Sequence, residues 1–281
     1  MKQPASPVAN PPVWMKESPF DWLPDLPVRD YILCLASDFD VDAQLEAIHG
    51  LLQRNREAEQ AHTEEIRQAA EQARRLQGIW NERAVDEHIE LLHASVYQDA
   101  AHSMAAVGML APLIETIFFQ SFRGIGRKFF PVSMPACGHE RWNETHAMQW
   151  DCHYVIAKGR TQKDLVRGIM QLAEAVGLKS RLPSDIEPML SALFGYRNKM
   201  FHCGFEWPIE ERIAFQNRIN ESGWPSAWFA KATSGKQPWV FYLTDSFIQH
   251  CLKDTVEVLT GIGEFVRDEL LPRSDRQGGR V

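Results

Sequence analysis

No C-x-x-C pair occurs in these 281 residues, and the five cysteines are odd in number. A disulfide framework is therefore excluded as the organising device. Cys34, Cys203 and Cys251 sit among apolar neighbours and read as small core fillers. No uninterrupted run approaches the ~18 apolar residues of a membrane span, and no basic segment leads into an apolar one at the N-terminus. The expectation is a cytoplasmic protein without membrane contact. No internal repeat is visible. Excess positive charge is lacking too: the net charge is −7, which argues against a general nucleic-acid coat protein.

The charge is unevenly spread, however. Residues 121–181 hold ten basic side chains against five acidic ones, a local +5. A basic surface confined to one part of an acidic protein suits a short substrate better than a long duplex. A solvated face of mixed charge explains the same numbers.

Residues 1–36 hold most of the proline-rich sequence, with seven of the sixteen prolines before position 31. They read as an arm, disordered at first, that docks through Phe20, Trp22 and Leu23. From 41 to 80 an almost unbroken 3/4 spacing (Leu45, Ile48, Leu52, Ile66, Ala69, Leu76) predicts one long helix. Its middle seam, Asn55, Glu59 and His62, is polar and should meet solvent or a partner. A second helix is expected over about 84–121, buried where it turns apolar all round between Met104 and Phe119 and kinked at Pro112.

Residues 124–150 lack a period and read as a loop. Helices follow at about 162–177, 185–203 and 208–221. A Trp-rich connection leads to a last helix, for which Thr244 is the natural N-cap. Trp224, Trp228 and Trp239 fit a lid packed against the 185–203 helix better than a base-stacking platform. The fold class is all-α: a helical bundle at 37–271 with a protruding long helix or hairpin, and a loose tail at 272–281.

The most informative segment is Arg197-Asn198-Lys199-Met200-Phe201-His202, followed by Cys203-Gly204. On an ideal helix Leu190, Leu193, Phe194, Arg197 and Phe201 share one stripe, which places a cation among hydrophobes. Such a charge needs a partner or a ligand, because burying a lone ion costs several kcal/mol, on the order of the effective desolvation penalty. Glu115 is the single charged residue of the apolar stretch 104–119 and is the natural candidate across the bundle. Asn198 and His202 are four apart and share a flank. R-x4-H spacing also occurs at Arg83/His88 and Arg141/His146, but only Arg197 combines an apolar helix upstream, a polar next residue and a glycine stop.

This segment resembles the R-φ-x(3–5)-H motif of HEPN-domain proteins, over about 25 residues near 185–208. The resemblance implies an all-helical homodimer and, in many members, a metal-independent endoribonuclease of toxin–antitoxin, abortive-infection or CRISPR-associated systems. It implies Arg197, Asn198 and His202 as catalytic residues, with Glu115, Lys199 and Tyr196 supporting. RNA is the implied substrate, and no cofactor or metal is required. Two subunits would bring their motifs together in a composite site. An antitoxin or other partner protein could dock along 41–80. HEPN toxins controlled by nucleotidyltransferases carry a tyrosine two residues after the histidine; here Gly204 stands there, so that control is not expected. The alternative is a noncatalytic HEPN dimer that binds nucleotides or a protein.

Metal readings are weaker. Glu46/His49, Glu59/His62, Glu90/His93 and Asp99/His102 have i,i+3 spacing, but solvated helix faces account for them. Cys137, His139, His146, Cys152 and His153 offer zinc-type ligands at spacings that match no compact finger.

Overall fold

Asp40 accepts a hydrogen bond from the Ala43 amide and thereby starts the first long helix, α1 (Val41–Arg75). The computed structural model describes residues 26–130 and 138–272. The expected docking of Phe20, Trp22 and Leu23, and the tail beyond 272, lie outside them. α1 stops five residues short of the expected end. Gly78, at φ +60° and ψ −143°, turns the chain, a conformation open chiefly to glycine. α2 (Ile79–Phe129) then returns along α1, running some 75 Å at about 1.5 Å per residue and continuing through Pro112. The protruding element is thus a hairpin of two helices.

Polar positions in the middle of α1 face α2. Asn55, Glu59 and His62 line a small cavity together with Gln98 and His102. Burial raises the Asp99 carboxyl to about 6, with the nearby Glu59 charge adding to the effect and His62 opposing it. The inner half of α2 is apolar all round and fills the core, with Val107, Leu110, Ile114, Phe118 and Phe122 essentially inaccessible. By length and composition α2 could cross a membrane, yet 56% of its apolar window is buried inside the protein.

After a single short turn of helix, α3 (His146–Gln149), come α4 (Leu165–Val176), α5 (Ile186–Cys203), α6 (Ile209–Glu221) and α7 (Asp245–Phe265); α5 and α7 pack on α2, and α4 packs on α5. Thr244 caps α7 by accepting from the Phe247 amide. Gly261 and Gly263 let α7 approach the backbone at Arg181 and Val28 so closely that a Cβ would sit about 2 Å from a carbonyl oxygen. The residues at Val28 belong to a 3-10 helix, Val28–Cys34, that buries Tyr31, Ile32 and Cys34. An apolar YILCL run is too costly to leave outside the core.

The structure is mainly helical, but two antiparallel hairpins qualify the all-α expectation. β1 (Tyr154–Ala157) pairs with β2 (Arg160–Lys163) across Lys158-Gly159, both at positive φ. That is the two-residue loop whose twist suits a hairpin. β3 (Phe229–Ser234) pairs with β4 (Gln237–Leu243), with a register shift between Lys231 and Thr233. Tyr196 of α5 donates to the Phe241 carbonyl at 2.9 Å, and the Leu243 amide donates to Ser103 of α2 at 2.8 Å. The Trp-rich segment therefore closes over the motif helix: Trp224, Trp228, Phe229 and Phe241 are all buried.

Candidate active site

α5 positions the motif. Ile186, Leu190 and Leu193 bury its first turns, and Gly204, at φ +70°, ends the helix one residue after Cys203. The apolar stripe stops sooner than its period suggests. Phe194 is buried, whereas Phe201 is 60% exposed. Arg197 falls at the transition, with 31% of its side chain accessible.

Arg197 Nη1 donates to Glu115 Oε2 at 2.9 Å, so the two residues that the sequence places as partners do meet. Its Nε faces Asn198 Oδ1 at 3.3 Å, and its guanidinium lies 5.3 Å from the centre of the Phe194 ring. The second oxygen of Glu115 contacts His153 Nε2 at 2.9 Å, and His153 Nδ1 contacts Asp151 at 2.7 Å. Arg197, Glu115, His153 and Asp151 thus form one chain of alternating charge. Burial works against the cationic form of His153, but the hydrogen bonds and charges of Asp151 and Glu115 outweigh it and raise its pKa. With each ring nitrogen engaged by a carboxylate, His153 holds Glu115 in place.

His153 is itself held by an unusual support. Arg141 is wholly buried, and its guanidinium donates to the carbonyls of Gln149, Asp151 and Tyr154 and to Gln171 Oε1. Burial pushes its pKa down to about 10. Satisfying a cation by carbonyls alone ties residues 149–154 to α4. Gly168 completes the fit, because a Cβ there would overlap the Cys152 carbonyl. Signals for His153 in the sequence were slight: its partner lies 38 residues away on another element.

The network opens on a cleft of about 980 Å³ between α4, α5 and the end of α6. Arg197, Asn198, Lys163, Arg167 and Arg218 bring positive and amide groups to its walls, facing Glu115, Asp164 and Glu187. Arg218 lies 4.9 Å from the centre of the Trp224 ring and fits against α5 because residue 195 is glycine. Sequence reading passed over Arg218, whose approach depends on that absent side chain.

The remaining motif residues go elsewhere. His202 is exposed in the last turn of α5 and is not among the residues lining the cleft. Lys199 is half-buried and forms an ion pair with Glu211 of α6. Tyr196 is fully buried, a core residue bound to β4 rather than a group at the cleft. Among the described residues the zinc-type side chains do not assemble. Cys152 is sealed in the core, where burial pushes its thiol up to about 12, His139 Nδ1 accepts from the Arg141 amide, and Cys137 lies outside the described residues.

No protein-family model, curated protein or solved structure matches this chain.

Proposed function

We propose that the protein is a metal-independent endoribonuclease of HEPN type that acts as a homodimer on single-stranded RNA or tRNA. The observation that carries this reading is Arg197. It is held by Glu115 at the wall of a large polar cleft, with Asn198 beside it, while other N–H groups of its fork remain for a phosphate. The chemistry is attack of a ribose 2′-hydroxyl on the adjacent phosphorus, with departure of the 5′-oxygen and a 2′,3′-cyclic phosphate as product. Arg197 would stabilise the charge on the pentacoordinate phosphate, and Asn198 would orient the scissile group. His202 would take the proton from the 2′-hydroxyl, and a second imidazole would return one to the leaving oxygen. Exposure of His202 at a helix end leaves it accessible to a second subunit, which would supply that second imidazole.

Purified protein incubated with RNA in EDTA tests the proposal. Cleavage should persist, leave cyclic phosphate ends, and fall by at least about a hundredfold in Arg197→Ala and in His202→Ala. A solution mass of one chain, or undiminished cleavage in His202→Ala, would overturn the composite site.

One observation favours a second reading. Within one chain His202 stands apart from the cleft, so a cleft with Arg197, Arg218, Lys163 and the Trp224 ring could bind a nucleotide without cutting anything. Nucleotide binding lost in Arg197→Ala, with RNA left intact by the wild type, would favour it. Toxin or phage-defence biology rests on the family resemblance; a partner docking along α1 rests on its polar seam, of which Asn55, Glu59 and His62 face α2.

A further inference from the structure

At the opposite end of α5 from His202, Asp185, His250 and Asp254 converge where the start of α5 meets α7. His250 Nε2 lies 3.1 Å from Asp185 Oδ2 and 3.4 Å from Asp254 Oδ2. All three ligand atoms fall within 4.8 Å of one another. Despite these separations, neither His250 Nε2 nor Asp254 Oδ2 makes a hydrogen bond among the described residues, and both atoms are buried. The nitrogen thus lies within ion-pair distance of both carboxylates while hydrogen-bonded to neither.

Each residue carries a further mark. Asp254 is 1% exposed, and a carboxylate sealed in a helix interface needs a compensating charge. Asp185 occupies the N-cap of α5, where a carboxylate normally accepts from the first-turn amides, yet it makes no such bond. Its side chain is turned to the cluster instead. The buried Trp228 ring, 5.4 Å away and tilted 31°, fixes the imidazole plane. Lys253, the nearest cation on α7, is bound to Glu257 at 3.1 Å.

We infer that Asp185, His250 and Asp254 form a binding site for a divalent transition-metal ion of the Zn²⁺ class. Ligands about 2.0–2.2 Å from a tetrahedral zinc stand roughly 3.3 Å apart, which is the spacing of the nitrogen from both oxygens here. One imidazole with two carboxylates selects a borderline ion over Mg²⁺ or Ca²⁺, which want oxygens alone. Asp185 is 47% exposed and forms the rim, so the fourth position faces water. The ion would tie α5 to α7. At about 1.5 Å per residue, Asp185 lies some 25 Å along α5 from His202, so this metal stands outside the proposed nuclease chemistry.

The test uses the full chain stripped with chelator, then titrated with Zn²⁺ alone by calorimetry and followed by thermal melting. One Zn²⁺ should bind per chain and raise the melting temperature by about 5 °C at hundredfold excess over Kd, with Mg²⁺ giving no comparable shift. Co²⁺ should give visible absorption of a four-coordinate site. Asp254→Asn keeps shape and removes charge, so it should fold, bind no metal at this site and lose the shift. Asp185→Asn should weaken binding about tenfold or more. Failure of the folded wild type to bind Zn²⁺, an equal response to Mg²⁺, or a shift retained in Asp254→Asn would each overturn the site.

Discussion

Asp99 shows how a single side chain can tie stability to pH. Its carboxyl rises from 3.8 to about 6 because it sits in the seam between α1 and α2, beside Glu59. A raised carboxyl is one the fold prefers neutral. Its contribution is therefore most favourable below pH 3.8 and declines as pH rises through 6. Asp99→Asn removes the ionisation. The variant should be more stable than wild type by about 1–2 kcal/mol at pH 7.5, and the difference should vanish near pH 4. Urea melts at the two pH values check this; an equal gain at both would mean that lost charge is not the cause.

The same scale explains what could be read from residues alone. Glu115 and Arg197 were legible as a pair because Glu115 is the solitary charge of its apolar stretch and Arg197 falls on an apolar helix stripe; 27% and 31% of their side chains remain accessible. His202 was legible as a helix-end histidine because glycine follows its neighbour Cys203. His153 was not. Nothing in its local sequence announces that Asp151 and Glu115 will clasp it from two elements.

At the scale of elements, the helices came out close to their apolar periods, with Thr244 legible as a start and Gly204 as a stop; Asp40, Asp164 and Gly177 cap further ends that the periods alone did not mark. The two hairpins did not, for a physical reason. β2 reads Arg-Thr-Gln-Lys and is exposed throughout, so it shows no alternation of apolar and polar residues. Only the Lys158-Gly159 turn marks it, and Gly235 does the same for the second hairpin. The first hairpin is anchored by Gln171, which pairs with the Ile156 amide and carbonyl, and by Arg141. Arg141→Ala leaves three carbonyls without their guanidinium donor, so it should destabilise the protein by on the order of 3 kcal/mol or more. Thermal unfolding measures that loss. If Arg141→Ala melted within a degree of wild type, the guanidinium would not be what holds residues 149–154 on α4.

For the whole molecule, the core gathers on the inner half of α2, while the far end of the α1–α2 hairpin stands clear of it. Ile79, Trp80, Ile89 and Leu92 are each at least 45% exposed there. Helix–helix contact between α1 and α2 is what supports that end, whereas Leu110, Ile114 and Phe118 are enclosed on all sides. The consequence is that one continuous helix should behave as two thermodynamic segments. Amides near 80–95 should exchange with deuterium through local fraying, on a scale of minutes, and those near 106–125 only with global unfolding. Uniform protection along α2 would mean that something in solution sheathes its outer half, and the uptake pattern would then outline the footprint of whatever does so.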